Sequence, residues 1–332
     1  MDFKLLYVYG LHPSSLYGNL LLVDALTPPK KCPLGCITCT LGPAKEVAPQ
    51  AIYSAHVSSL INDVEEFWPK GINIDGILVW GCGDPLLLSN IEKAVSALKD
   101  LTSRHSNRPK VLLHTSGINV GNLHANARIV EEVDYFLVPY AWYGDNRGAM
   151  GWPPGVDFSV YLEGLKEFSK RAPGKLVVEM LVFRLADSIY PDNKHAEETI
   201  PILGRIKPAR VVLKPIDRPT QSPHVKPGPE SHLTRLEEFL LMQGLEVFMD
   251  TVSLPSTTPT WRNTINMLYN QLLRAPLKYA EVRSIYGDLG VISLDNLLSK
   301  KLVSRIVWGG STYFRGSVDR LPQSTLNTLY NN

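Results

Sequence analysis

Seven short, almost continuously apolar runs recur along the chain: Leu20 to Ala25, Ile77 to Trp80, Val111 to Thr115, Tyr135 to Val138, Leu176 to Phe183, Val211 to Lys214 and Leu245 to Met249. Runs of this length and composition read as strands, and apolar side chains at successive positions mean that both faces of the sheet are covered. Amphipathic stretches lie between them. Val57, Leu60, Ile61, Val64 and Phe67 share one helix face. Ile91, Val95, Leu98 and Leu101 form a second stripe, with Ser89 and Glu92 placed as a capping box. Further helices are expected near 157–170, 194–206 and 230–243. Strand-helix alternation with covered strands predicts an α/β fold built on a parallel sheet. Six units and a short seventh strand stop short of the eight of a full barrel. The expected architecture is an open, partial (β/α)6 barrel with its site at the carboxyl ends of the strands.

At 332 residues, 44% hydrophobic and 20% charged, the chain can bury a sizeable core and leaves room for a second, smaller domain. Ser253 to Thr260 is a Ser/Thr/Pro cluster that reads as a linker. Beyond it, residues 262–274 and 278–286 suggest two helices, and Ser293 the start of a third running to Lys301. Val303 to Trp308, Gly309-Gly310 and Thr312 to Arg315 suggest a hairpin. That order resembles a winged helix-turn-helix. The expected domains are therefore a barrel over 1–252, a linker over 253–260 and a winged-helix-like domain over 261–332. From Trp261 onward nine Lys and Arg face four Asp and Glu, so basic charge gathers in this tail although the whole chain carries only +2. Such a tail suits either a nucleic acid or a protein partner. No apolar run approaches a membrane span, and the first fifteen residues are too short and polar for a signal peptide, which predicts a cytoplasmic protein with no membrane partner.

Of four cysteines, three (Cys32, Cys36 and Cys39) fall in one Gly/Pro-bearing loop directly after the first apolar strand, in a C-x3-C-x2-C spacing. In a reducing compartment, crowded thiols are metal ligands or redox groups more often than bridges. Such a loop can wrap three thiolates around a four-iron cube and leave one iron open to a small molecule. Zinc and a Cys-x-x-Cys redox pair are the competing readings. The first wants a fourth Cys or His, and the second a helix start in a thioredoxin context.

This spacing, at this place, resembles the radical S-adenosylmethionine (radical SAM) superfamily. The resemblance implies a [4Fe-4S] cluster on Cys32, Cys36 and Cys39, with S-adenosylmethionine on the open iron. Reductive cleavage of the sulfonium would give a 5′-deoxyadenosyl radical that abstracts hydrogen from a substrate. It also implies a low-potential electron donor of the ferredoxin or flavodoxin kind. Trp80-Gly81-Cys82-Gly83-Asp84-Pro85 is similar to the superfamily's Gly-Gly-Glu-Pro segment, which contacts the methionine amine, with Asp84, one methylene shorter, in the Glu position. Cys82 is expected to line the pocket as a small buried residue. Thr115-Ser116-Gly117 resembles the Thr-Asn-Gly that meets the adenosine, and Tyr140, Glu179 and Lys214 stand at further strand ends. Thr38 replaces an aromatic before the last cysteine, and Ser15-Leu16 replace an Arg pair. Tyr9-Gly10, Pro13-Ser14, Gly18, Asp24, the stretch Cys36 to Gly42, Lys207-Pro208 and Asp217-Arg218-Pro219 are similar to the wyosine-synthase-like iron-sulfur oxidoreductases. True wyosine synthases carry a second cluster, for which only Cys82 is spare here.

The resemblance implies a radical SAM oxidoreductase acting on an unidentified substrate, for which an RNA base and a peptide are the leading macromolecular candidates, with Thr38, Gly81, Cys82, Gly83, Asp84, Pro85, Thr115, Ser116 and Glu179 as cofactor-binding residues. The alternative is a non-catalytic iron-sulfur sensor that binds DNA through the winged helix. Formation of 5′-deoxyadenosine separates the two.

Overall fold

The computed structural model describes residues 3–42, 50, 52–125, 127–141, 151, 157–220 and 222–317. In chain order it contains β1 (Val8–Ser14), β2 (Gly18–Val23), α1 (Val57–Glu66), β3 (Gly76–Val79), α2 (Ile91–Ser103), β4 (Lys110–His114) and α3 (Ala127–Glu132). Then come β5 (Tyr135–Tyr140), α4 (Phe158–Arg171), β6 (Leu176–Leu185), β7 (Ser188–Tyr190), α5 (Asn193–Ile206), β8 (Arg210–Pro215), β9 (Val225–Pro227), α6 (Glu230–Met242) and β10 (Phe248–Met249). The sheet runs β1-β2-β3-β4-β5-β6-β8-β10, parallel from β2 to β10, with β1 antiparallel at its edge. It is a curled α/β half-barrel, and each of the seven apolar runs contributes one parallel strand.

Side-chain alternation sorts the strands into two cores. Leu20, Leu22, Leu78, Leu112, Leu137, Val177 and Val212 meet inside the curl. Leu21, Val23, Ile77, Val79, Val111, Leu113, Phe136 and Val138 point outward and pack under the helices. Because both sets are apolar, the period of two that separates them is invisible in the hydropathy pattern.

The sequence contains no clear signal for β1. Gly10 and Pro13 punctuate it, yet it pairs along its length with β2. Beyond β10 the chain turns back onto β1: Ser15 N donates to Thr251 O (2.9 Å), Ser253 N to Pro13 O (3.0 Å) and the Ser14 hydroxyl to Asp250 Oδ1 (2.5 Å). These bonds lace the two edges of the curled sheet together. β10 is shorter than expected because Leu245 N is used to cap α6 by bonding Leu240 O (3.0 Å). Nor does the Ser89 capping box form. Asn90 precedes α2 and turns its side chain to Ala55, while the Ser89 hydroxyl donates to Tyr53 O (2.9 Å).

The C-terminal segment comprises α7 (Thr264–Arg274), β11 (Leu277–Lys278), α8 (Tyr279–Ser299), β12 (Val303–Trp308) and β13 (Ser311–Gly316). Its three strands are ordered β11-β13-β12. A break at Gly287, with φ of 66°, divides α8 into two arms. Ser293 lies inside the second arm and donates to Leu289 O (2.6 Å), so it does not open a helix. The remainder of the tail, from 318 onward, lies outside the described residues.

This segment is bonded tightly to the barrel. Asn270 Oδ1 accepts from Leu6 N (3.0 Å), and Gln271 Nε2 donates to Leu11 O (2.9 Å). On the hairpin, Trp308 Nε1 donates to Val225 O (2.8 Å) and the Tyr313 hydroxyl to Asp217 O (2.7 Å). Even the stretch read as a linker is pinned, through two backbone bonds between Thr260 and Lys70 (2.8 and 3.0 Å). Several of the tail's basic residues are also consumed internally. Arg274 pairs with Asp24 at 2.7 Å with both side chains buried, Arg262 meets Glu66 (3.3 Å), and Arg315 donates to Pro219 O (2.8 Å). Charge that looks available in the sequence is thus partly used to join the segment to the barrel. Among the described residues, no helix is long and apolar enough to cross a membrane.

Candidate active site

A cavity of about 220 Å³ opens at the carboxyl ends of the strands. One wall is the cysteine loop. The loop leaves β2 at Asp24, whose Oδ1 accepts from Leu26 N (3.2 Å) and Thr27 N (3.1 Å). It then runs beside the end of β3, where Lys31 N donates to Cys82 O (2.7 Å) and Asp84 N to Lys31 O (3.0 Å). That contact explains the two glycines of the Trp80 to Pro85 segment. A Cβ on Gly83 (φ +141°) would stand 1.6 Å from the Lys31 carbonyl oxygen, and one on Gly81 (φ +158°) 2.4 Å from the Asp24 carboxyl carbon. Gly83→Ala is expected to cost on the order of 3 kcal/mol through overpacking and backbone strain, and to displace the loop. Urea unfolding, with iron content measured on the same sample, checks both effects.

Cys32, Cys36 and Cys39 all line the cavity. Cys39 N bonds Cys36 O (3.1 Å), and Leu41 N approaches Cys39 Sγ (3.4 Å). Burial pushes the Cys32 thiol up to about 12, and burial plus its two cysteine neighbours pushes Cys36 higher still. Three sulfurs gathered on one cavity wall are a donor set that an iron-sulfur group could use, its cationic irons favouring the thiolate forms. Among the described residues, no three His, Cys, Asp or Glu side chains are arranged to hold a single metal ion.

The predicted cofactor residues separate into two sets. Thr38, Gly81, Gly83, Asp84, Ser116 and Glu179 line the cavity, as does Lys214. Cys82, Pro85, Thr115 and Tyr140 are not part of its lining. Cys82 is buried below the wall, where its thiol meets Asp24 and its pKa is driven well up by burial and then by that carboxylate. Pro85 opens a short 3-10 turn, Pro85–Leu87, that Asp84 caps. Thr115 is fully engaged behind Asp84, its hydroxyl donating to Oδ1 at 2.8 Å.

Asp84 is fully engaged within the protein. Only 1% exposed, it accepts from Leu86 N (3.0 Å), the Thr115 hydroxyl, Ser116 N (3.1 Å) and the Ser116 hydroxyl. Four donors occupy its two oxygens. The carboxylate therefore locks the end of β3 to the end of β4, and what this segment offers to the cavity is chiefly backbone.

The opposite wall is a polar cluster that the sequence only partly discloses. Glu179 accepts from His114 Nε2 (3.2 Å). Burial alone would raise its carboxyl, but the His114 hydrogen bond and the charges of His114 and Lys214 hold it below the ordinary value. Lys214 pairs with Asp250, which also takes the Ser14 hydroxyl. Burial opposes the Lys214 ammonium, whereas Glu179 and Asp250 together raise its pKa. The Tyr17 hydroxyl is buried without a hydrogen-bond partner among the described residues.

His12 completes this wall. Burial, then the charges of Lys214 and Arg218, lower its imidazole from 6.5 to about 4 against the opposing pull of Asp250 and Asp217. The unfolded chain then binds the proton more tightly, so this contribution to stability is fully present above pH 6.5 and is lost as pH falls toward 4. His12→Gln is expected to flatten the pH dependence of unfolding within that window, a result read from denaturation midpoints at several pH values.

His12, Tyr17, His114 and Asp250 were missed in the sequence. Asp250 and His114 carry the signal that singled out Glu179 and Lys214, a polar residue at the end of an apolar strand. His12 and Tyr17 have none, because the strand and turn that bring them into place were themselves undetected.

No family model matches the chain. It is 24% identical over 302 residues to a UPF0026 protein of Helicobacter pylori, a match covering 90% of this chain and 93% of that protein. It is 25% identical over 273 residues to a protein described as GTPase Obg of Brachyspira hyodysenteriae, covering 81% of this chain but 38% of that one. The chain thus spans well under half the length of that relative. Among solved structures it is similar to a radical SAM methyltransferase from Sphaerobacter thermophilus, with 16% identity, a TM-score of 0.49 and coverage of 70% of this chain and 65% of that one.

Proposed function

We propose that the chain is a radical SAM enzyme that forms 5′-deoxyadenosine from S-adenosylmethionine in the course of hydrogen abstraction from its substrate. The observation that carries this reading is the placement of Cys32, Cys36 and Cys39 along one wall of a cavity at the strand ends of a half-barrel. In this reading those three residues hold a [4Fe-4S] cluster, which when bound supplies one electron and an open coordination site. Gly81 and Gly83 let the cysteine loop pack against β3, and Asp84 and Ser116 fix the adjoining wall. Thr38 and the backbone from Gly81 to Asp84 would orient the cofactor. Cys82, Pro85 and Thr115 support that surface from behind.

Glu179 is kept with the cofactor-binding residues, and the rest of the polar wall is assigned to the substrate. Glu179 and Asp250 keep Lys214 charged and in place, the neutral His12 ring can accept or donate a hydrogen bond, and the Tyr17 hydroxyl is available to a ligand. An RNA base and a peptide both remain within this chemistry. We further assign residues 1–252 to the barrel, 253–260 to a connector and the segment from 261 to a winged-helix-like unit whose first helix, α7, braces the barrel. The second arm of α8 exposes Asp288, Leu289, Ile292 and Asp295. That face of the arm carries no basic residue, although Lys300, Lys301 and Arg305 are exposed beside it. A cytoplasmic setting with a ferredoxin- or flavodoxin-type donor belongs to the same reading.

The test is anaerobic reconstitution with iron and sulfide, addition of dithionite and S-adenosylmethionine, and chromatography for 5′-deoxyadenosine. Reductant-dependent product is expected. Its absence from protein shown to hold a four-iron cluster would contradict the proposal.

A further inference from the structure

We infer that Lys30 is a positioning residue that makes the proposed iron-sulfur centre easier to reduce, by holding a fixed positive charge against one of its ligands. This inference rests on the functional reading above. Lys30 Nζ lies 3.4 Å from Cys39 Sγ. It also donates to the carbonyl oxygens of Leu34 (3.4 Å), between the first two cysteines, and of Gly42, just beyond the third, so the loop is tied to one ammonium at two places. These two carbonyls belong to the chain and would hold the charge in place whether or not the cysteines carry a cluster.

Lys30 differs from the other cations of the cavity. Lys214 is compensated by Asp250, and Arg218 by Glu281 at 2.7 Å. Among the described residues Lys30 has no carboxylate partner in an ion pair, and its side chain lines the cavity beside the three cysteines. Its neighbour Lys31 turns away, donating to the carbonyls of Leu26 (2.8 Å) and Thr27 (3.1 Å). The Lys30 charge therefore acts mainly on the sulfur side of the loop.

Reduction adds one electron to the centre without changing the protein charge around it. A half-buried ammonium at hydrogen-bond range from a ligand sulfur stabilises the more negative, reduced form, and hydrogen bonds to the sulfurs act in the same direction. The same contacts fold the loop around the ligand set, so Lys30 is expected to affect cluster retention as well as potential.

The experiment is a dye-mediated potentiometric titration of reconstituted wild type, Lys30→Arg, Lys30→Gln and Lys30→Met, with iron and sulfide counted in each sample. Lys30→Met is expected to shift the midpoint to more negative potential at full cluster occupancy, with Lys30→Arg staying near wild type. Lys30→Gln keeps a donor for the two carbonyls and is read where Lys30→Met does not fill. An unchanged potential in a filled, uncharged variant would overturn the inference while leaving the radical SAM reading intact. A wild-type protein that takes up no cluster would overturn the reading itself.

Discussion

If Cys32, Cys36 and Cys39 hold the proposed cluster, replacing Cys36 by Ala is expected to abolish cluster assembly and to reduce 5′-deoxyadenosine formation by more than about a hundredfold, the effect of removing one of three proposed ligands. Cys36 stands at the middle of the C-x3-C-x2-C spacing, and its backbone carbonyl also takes the Cys39 N–H. The thiol faces a cavity in which burial and its two cysteine neighbours oppose ionisation. Its removal should leave the fold largely intact while iron content collapses. Cys82→Ser is the informative contrast. Its thiol lies below the cavity against Asp24, so this variant should retain iron at the wild-type stoichiometry. Loss of iron in both variants would mean that the fourth cysteine is a ligand after all.

Arg274→Met should produce the largest loss of stability, about 3–5 kcal/mol, because it leaves the carboxylate of Asp24 buried without its counter-charge. Arg274 is 2% exposed, and its guanidinium reaches Asp24 Oδ2 (2.7 Å), Leu6 O (2.9 Å) and the Asn270 carbonyl and side-chain oxygens (3.1 Å each), with the Tyr9 ring 4.8 Å from it. Its own carbonyl takes the Thr40 hydroxyl (3.2 Å). One residue of α7 thereby fastens the beginning of the cysteine loop through Asp24 and the end of it through Thr40. The variant should lose iron as well as stability. Combining Arg274→Met with Asp24→Asn removes both charges and should recover part of the stability, as measured by chemical denaturation. A double variant no more stable than the single would place the cost in packing instead of in the unpaired carboxylate.

Arg274 also shows where sequence reading reaches its limit. The seven parallel strands, α1, α2, α4, α5, α6 and α7 and the first arm of α8 are visible because each is a local apolar pattern of the right length. The hairpin at the end of the chain is visible for the same reason. β1 is hidden by Gly10 and Pro13, and with it the seam that brings Ser14 and His12 beside Asp250 and Lys214. Those contacts span more than two hundred residues and have no local signature. The tail's excess of basic residues is legible, but its destination is not. Arg274 and Arg315 bond to the barrel, an outcome that depends on tertiary packing. In the candidate site, the cysteine spacing and the Gly81-Gly83 pair were readable since each reflects a local requirement. Asp84 was found for its position, but its occupation by Thr115 and Ser116 could be seen only once the ends of β3 and β4 were set side by side.

Electron paramagnetic resonance of the dithionite-reduced, reconstituted protein, recorded with and without S-adenosylmethionine, tests the central claim most directly. Three thiolates around a four-iron cluster with one open iron predict a cluster signal that changes on addition of the cofactor and is absent from Cys36→Ala. A filled cluster whose spectrum is indifferent to S-adenosylmethionine would contradict the account.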